Sequence, residues 1–147
     1  SALYQRFISR FDGCFLRDAA YYDDLLQRVS KGSEHLCFYY ENDTLMGYCL
    51  YLIEHQEVRV IEIVYLDSRS LKQMLSYVAQ KVNGVLLVVS KAEKIERIFP
   101  FAIPRREAYL MARLNNIALF NKLYNCNVRH AADAFELLHK PMWNHHL

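Results

Sequence analysis

Two consecutive runs, TLMGYCLYLIE (residues 44–54) and VRVIEIVYL (58–66), are apolar at nearly every position instead of at every second one. A strand with one wet face alternates. A strand that is apolar throughout needs cover on both faces, as in the centre of an α/β sheet. The polar step His55-Gln56-Glu57 separates the two runs. A third run, HLCFYY (35–40), precedes them across Glu41-Asn42-Asp43, a turn-rich hairpin connection. A meander of three strands is the reading.

The cover has to come from helices on either side of the meander. Residues 3–11 place Tyr4, Phe7, Ile8 and Phe11 at helical spacing, and Gly13 breaks the pattern. Asp18 can cap a second helix from Ala19, with Tyr22, Leu25, Leu26 and Val29 as its stripe and Gly32 at its C-terminal end. Directly after the third strand, residues 68–80 present Leu71, Met74, Leu75, Val78 and Ala79 on one side. Asn83-Gly84 then turns the chain into VLLVV (85–89), read as a fourth, interior strand. A helical turn around residues 93–98 ends at Pro100, and EAYLMARL (107–114) reads as a fifth strand. Asn116 can cap a helix through Tyr124 with Leu119, Phe120 and Leu123 inward, and 131–138 is a last helix stopped by Pro141. The expected class is α/β (α+β), a mixed central sheet of about five to six strands flanked by helices in the order ααβββαβ(α)βα. Residues 1–125 are expected to form the domain, and 126–147 a helical tail packed on it or on a partner.

With 147 residues the chain is long enough for one ordinary domain with a real core. A formal charge of +2 gives no case for nucleic acid, and Arg105-Arg106 is an isolated basic pair. The apolar runs fall well short of the roughly 20 residues that span a bilayer, so neither nucleic acid nor membrane is expected as a partner. Cys14, Cys37, Cys49 and Cys126 show no CxxC spacing, and no signal peptide precedes them. Reduced thiols and a cytoplasmic location are the expectation.

Four segments carry a more specific resemblance: GCFLRDAAYYDDLL (13–26), GYCLYLIE (47–54), VRVIEIVYLDSRSLKQMLSYVA (58–79) and YLMARLNNIALF (109–120). In this order they resemble the successive blocks of the second, atypical GNAT-like unit of multi-domain N-acetyltransferases of the enhanced-intracellular-survival (Eis) type. The resemblance implies a GNAT acyltransferase fold. It also implies that acetyl-CoA is held by the first unit of such enzymes, through a Gln/Arg-x-x-Gly-x-Gly/Ala turn. The second unit then lacks cofactor binding, walls the acceptor-amine pocket and packs against neighbouring domains.

That division of labour has a physical basis. A pyrophosphate must lie close to backbone N–H groups, so side chains have to be absent there. The corresponding turn here is Asp67-Ser68-Arg69-Ser70-Leu71-Lys72, while glycine occurs at positions 13, 32, 47 and 84. Asp67 would set a negative charge where two phosphates should lie, and Asp67 and Ser68 read better as helix caps. No cofactor-binding residue is therefore assigned to this domain; acetyl-CoA belongs to the full-length family enzyme. The stretch after the MAR-like strand is too short for the sterol-carrier-like third domain of the family. With no cofactor-binding unit on the N-terminal side either, a fragment or a shortened relative of the family is expected. The opening Ser-Ala-Leu without an initiator methionine fits a piece cut from something longer. The expected partners are an upstream cofactor-binding GNAT unit, other subunits of the same enzyme, or copies of itself.

Glu62 interrupts an apolar strand and is the candidate for a general base or for lining the acceptor pocket, since a buried carboxylate titrates higher. The plainer reading is a carboxylate at a strand edge, paired with Arg59 or Arg113 or facing a domain interface. Tyr51 and Tyr65 are candidates for an aromatic pocket around a cationic amine, although tyrosines on strands more often simply pack. Cys126, His130, His139, His145 and His146 have irregular intervals unlike a zinc site, and no metal is expected. Trp143 is read as folded back on the core or buried in a partner. Three functions remain open: an accessory domain inactive as an isolated chain, a stand-alone acetyltransferase with atypical coenzyme A binding, and a non-enzymatic binding or oligomerisation module.

Overall fold

The computed structural model describes residues 1–80, 82–90, 93–105 and 112–137. Helix α1 (Ala2–Ile8) is capped by the Ser1 hydroxyl, which accepts from the Tyr4 amide. Helix α2 (Ala19–Ser30) starts at Asp18, whose Oδ1 accepts the Tyr21 amide at 3.0 Å. Strands β1 (His35–Glu41), β2 (Thr44–Glu54) and β3 (Glu57–Tyr65) follow as antiparallel neighbours. Both hairpin turns have two residues with positive φ, Asn42-Asp43 (46° and 61°) and His55-Gln56 (48° and 65°). That backbone twist matches the twist of the flanking strands.

Helix α3 (Ser68–Ala79) is the crossover that parallel pairing requires, and β4 (Gly84–Leu86) returns alongside β3. The sheet order is β1-β2-β3-β4. A single 3₁₀ turn (Ile95–Arg97), helix α4 (Ile117–Tyr124) and helix α5 (Ala131–Glu136) complete the described elements. The class is the expected mixed α/β one, with four strands among the described residues in place of five or six.

The sheet is covered on both faces, as the unbroken apolar runs require. Leu71, Met74, Leu75 and Val78 of α3 are buried on one side, where Gly47 lets the helix approach. A Cβ at that position would lie 2.7 Å from both Met74 Cε and the Val64 carbonyl oxygen. Tyr4 and Phe7 of α1, both fully buried, join the core with Tyr48, Val64 and Tyr65. Arg10 ties the end of α1 to the end of β3: its Nη2 donates to the Tyr65 carbonyl at 2.9 Å, and its guanidinium stacks near the Phe7, Phe11 and Tyr65 rings.

Several expectations need correction. The fourth strand is Gly84–Leu86, not 85–89, and it is partly exposed. Its pairing with β3 ends at Arg59↔Leu86, because β3 bulges next, so that Leu50 pairs with Glu62 and Tyr51 with Val60. The extra residue bends β3, and the chain after Leu86 parts from it. Helix α4 has its Asn116 cap, accepting from the Leu119 amide at 2.9 Å, yet Leu119 and Leu123 are exposed. Of the α2 stripe only Leu25 is buried, and Leu26 is exposed. The expected fifth strand lies mostly outside the described residues, and its described end, 112–114, is not strand. At the proposed boundary near residue 125, Asn125 ends α4 in the left-handed conformation. The Asn121 side chain then folds the next residues back, with Oδ1 accepting the Val128 amide and Nδ2 donating to its carbonyl.

Candidate functional site

Glu62 is on an inner strand and 2% exposed. Through the pairs Leu50↔Glu62 and Tyr48↔Val64 it shares a sheet face with Tyr48. The ion partner brought to it is Arg17, from the linker between α1 and α2, whose Nη1 donates to Glu62 Oε1. Arg17 Nη1 also reaches the Tyr48 hydroxyl at 3.3 Å. Tyr48 donates to Oε1 as well, and Tyr21 of α2 donates to Oε2 at 2.5 Å. The Arg17 guanidinium lies 4.5 Å from the Tyr4 ring centroid and 4.2 Å from that of Tyr21.

Burial raises the hydroxyl pKa of Tyr48 and of Tyr21, and pushes Tyr4 up to about 12. All three are therefore protonated donors at neutral pH, and Tyr4 gives its proton to the Phe15 carbonyl at 2.7 Å. Both Glu62 oxygens thus accept from fixed donors inside the protein. A general base needs a lone pair turned to its substrate; three of the roughly four acceptor positions of this carboxylate are taken by internal donors.

The turn from β3 into α3 is arranged around Asp67. Its Oδ1 accepts the Ser70 amide and the Ser70 hydroxyl, both at 2.7 Å. These two bonds, the amide first, hold the Asp67 carboxyl below the usual carboxylate range. Asp67 is extended, with φ −147°, and the following Arg69 forms an ion pair with Glu41 at 2.7 Å. An amide at the helix start that could greet an anion already has one.

Beyond the bulge, β3 and residues 87–90 line a narrow cleft that includes Ile61, Ile63 and Val89. Its enclosed space is about 20 Å³. Tyr65 closes one end, donating to Glu93 Oε2 at 2.6 Å. Burial first, and this bond second, raise the Tyr65 pKa. Tyr51 is buried by strand alternation on the face away from Glu62, with its ring 5.4 Å from that of its cross-strand partner His35. Glu62 and Tyr65 thus both border this cleft, and Tyr51 does not.

Among the described residues no group of His, Cys, Asp and Glu has the arrangement of a metal site; His139, His145, His146 and Trp143 lie outside them. Cys126 Sγ contacts Asn121 Oδ1, and His130 precedes α5. None of the described helices is long and apolar enough to cross a membrane. No role for Arg17, Tyr21, Tyr48 or Glu93 was read from the sequence, although the first three lie in the segments that carry the resemblance. Arg17 had left a trace, as a basic residue between the apolar pair Phe15-Leu16 and the cap Asp18.

No curated protein matches the chain. A solved structure described as the crystal structure of a probable acetyltransferase is similar at 12% identity and a TM-score of 0.46, over 67% of this chain and 78% of that one. A family model described as an acetyltransferase (GNAT) domain matches residues 13–114, from the linker carrying Arg17 to just before α4. With the match covering well over half its length, the chain belongs to the GNAT acetyltransferase domain family.

Proposed function

We infer that this GNAT domain is an accessory unit of an Eis-type N-acetyltransferase, one that leaves acetyl-CoA to another unit and serves acceptor-pocket formation and domain packing. The observation that carries this reading is the Asp67–Ser70 pair at the start of α3. A diphosphate at that helix end would have to displace a carboxylate from the amide it needs, at 2.7 Å, and would then face that carboxylate's charge. The residues present do not fit the pyrophosphate there. The clefts beside β3 fit the same reading. The one along residues 60–65 holds about 20 Å³. The open one lined by Glu54, His55, Glu57, Arg59 and Leu86 holds about 240 Å³, below the roughly 300 Å³ and more of ligand pockets, and it lies away from the start of α3.

The engagement of Glu62 fits the same reading, because the strand carboxylate that could have served as base is braced by Arg17, Tyr21 and Tyr48. So does the surface. Leu86, Val88, Phe101 and Ile103 are exposed, as are Leu119, Leu123 and Tyr124 on α4, and apolar residues exposed in contiguous patches are the kind of surface that other protein covers. Calorimetric titration of acetyl-CoA into the chain tests the proposal. The expected result is no saturable heat, and micromolar binding would return the domain to the class of cofactor-binding acetyltransferases.

A further inference from the structure

A second chemistry sits on the α3-facing side of the hairpin β1–β2. Cys37 and Cys49 are direct cross-strand partners, flanked by the regular pairs Leu36↔Leu50 and Phe38↔Tyr48. The register shift comes away from them, where Tyr39 pairs with Gly47 and Tyr40 with Leu45 so that β2 carries the extra Met46, and register at the cysteines is undisturbed. Directly opposed residues of an antiparallel pair have Cα atoms about 4.5 or 5.5 Å apart, and either spacing falls within the roughly 4.4–6.8 Å that a disulfide bridges. Opposed residues also point their side chains to the same face of the sheet, so the two thiols face the same way.

We propose that Cys37 and Cys49 are a redox-sensitive pair that closes into a reversible cross-strand disulfide when the protein meets hydrogen peroxide. The two positions differ in a way that assigns roles. Cys37 is on the strand at the sheet edge among the described residues and is partly exposed, whereas Cys49 is fully buried. Peroxide reaches the partly exposed Cys37 first, so Cys37 is the sulfur that reacts as thiolate. Its sulfur attacks a peroxide oxygen and the O–O bond breaks; the departing hydroxide takes up a proton as water, leaving a sulfenic acid on Cys37. The Cys49 sulfur then attacks the Cys37 sulfur, the S–O bond breaks, and the leaving hydroxide departs as water with the Cys49 proton. Two thiols and one hydrogen peroxide give one disulfide and two waters.

The test is peptide mapping of peroxide-treated protein, alkylated in denaturant and cleaved after Glu41, which separates residues 35–41 from 42–54. The expected product is those two peptides joined, lighter by two hydrogens than their sum and released by dithiothreitol. It should persist in the double variant Cys14→Ala/Cys126→Ala, which leaves the hairpin untouched, and vanish in Cys37→Ala. Alkylation of both Cys37 and Cys49 while Cys14 or Cys126 is oxidised would overturn the proposal. So would separate sulfinic acids on the two residues without a link.

Discussion

Arg17 and Glu62 meet inside the molecule although 45 positions separate them, with side chains 3% and 0% exposed. A buried ion pair is costly to desolvate and is weak evidence of stability in itself. What it does here is fix a place: it draws the linker between α1 and α2 onto the inner strand β3, with the Tyr48 and Tyr21 hydroxyls completing the carboxylate's shell. The face opposite α3 is thereby closed over the Glu62 carboxylate.

Removing one member of the pair should therefore be far worse than removing the charge altogether. Arg17→Met is expected to lose roughly 3–5 kcal/mol, the range for an uncompensated buried charge. Glu62→Gln removes the charge and keeps one acceptor oxygen, for Tyr48 or for Tyr21, so the double variant Arg17→Met/Glu62→Gln should lose less than the two singles together, with a coupling of roughly 0.5–3 kcal/mol. Urea denaturation of the four proteins measures this, and simple additivity would refute the brace.

Gly47 offers a test of the other face. Its missing Cβ leaves room for Met74 Cε and the Val64 carbonyl, each 2.7 Å from where that atom would stand. Gly47→Ala should cost about 1–3 kcal/mol by overpacking. Adding Met74→Leu should recover only part of the loss, because the carbonyl belongs to the neighbouring strand and cannot swing away. Full recovery would show that the methionine alone sets the spacing.

Asp67 makes the acid side of the stability profile. Its carboxyl is held low by the Ser70 amide and hydroxyl, so its contribution is fully present above the unfolded value of about 3.9 and is lost as pH falls through the lower folded value. Asp67→Ala should cost about 1 kcal/mol at neutral pH as a lost helix cap. The gap in thermal midpoint between wild type and variant should narrow between about pH 5 and pH 2. A gap independent of pH would mean that the charged cap contributes nothing.

Much of this was legible along the chain, and the part that was not has a common cause. Asp18, Asp67 and Asn116 act as caps because their short oxygen-bearing side chains reach an amide three residues on, a local interaction that spacing reveals. The two hairpins were equally local. The partner of Glu62 was hidden because Arg17 reaches it only after the sheet and helices have assembled. Leu119 and Leu123 show another limit: helical spacing tells that an apolar side exists, but not whether anything covers it. The short β4 depended on a bulge at Ile61, and VRVIEIVYL carries no glycine to announce one.

One residue should be improvable. His55 occupies the left-handed region at φ 48° in the β2–β3 turn, where a short polar side chain costs less than a ring. His55→Asn is expected to raise stability by up to about 1 kcal/mol, read as a higher urea midpoint with unchanged slope. A lower midpoint would mean that the left-handed backbone costs histidine no more than asparagine.

The most direct measurement of the central claim follows the backbone amide resonances of residues 68–71 during titration with acetyl-CoA. If the Asp67 carboxylate already holds the α3 amide that a diphosphate would need, these resonances stay in place through millimolar cofactor. Saturable shifts centred on Arg69, Ser70 and Leu71 at micromolar concentration would contradict the account.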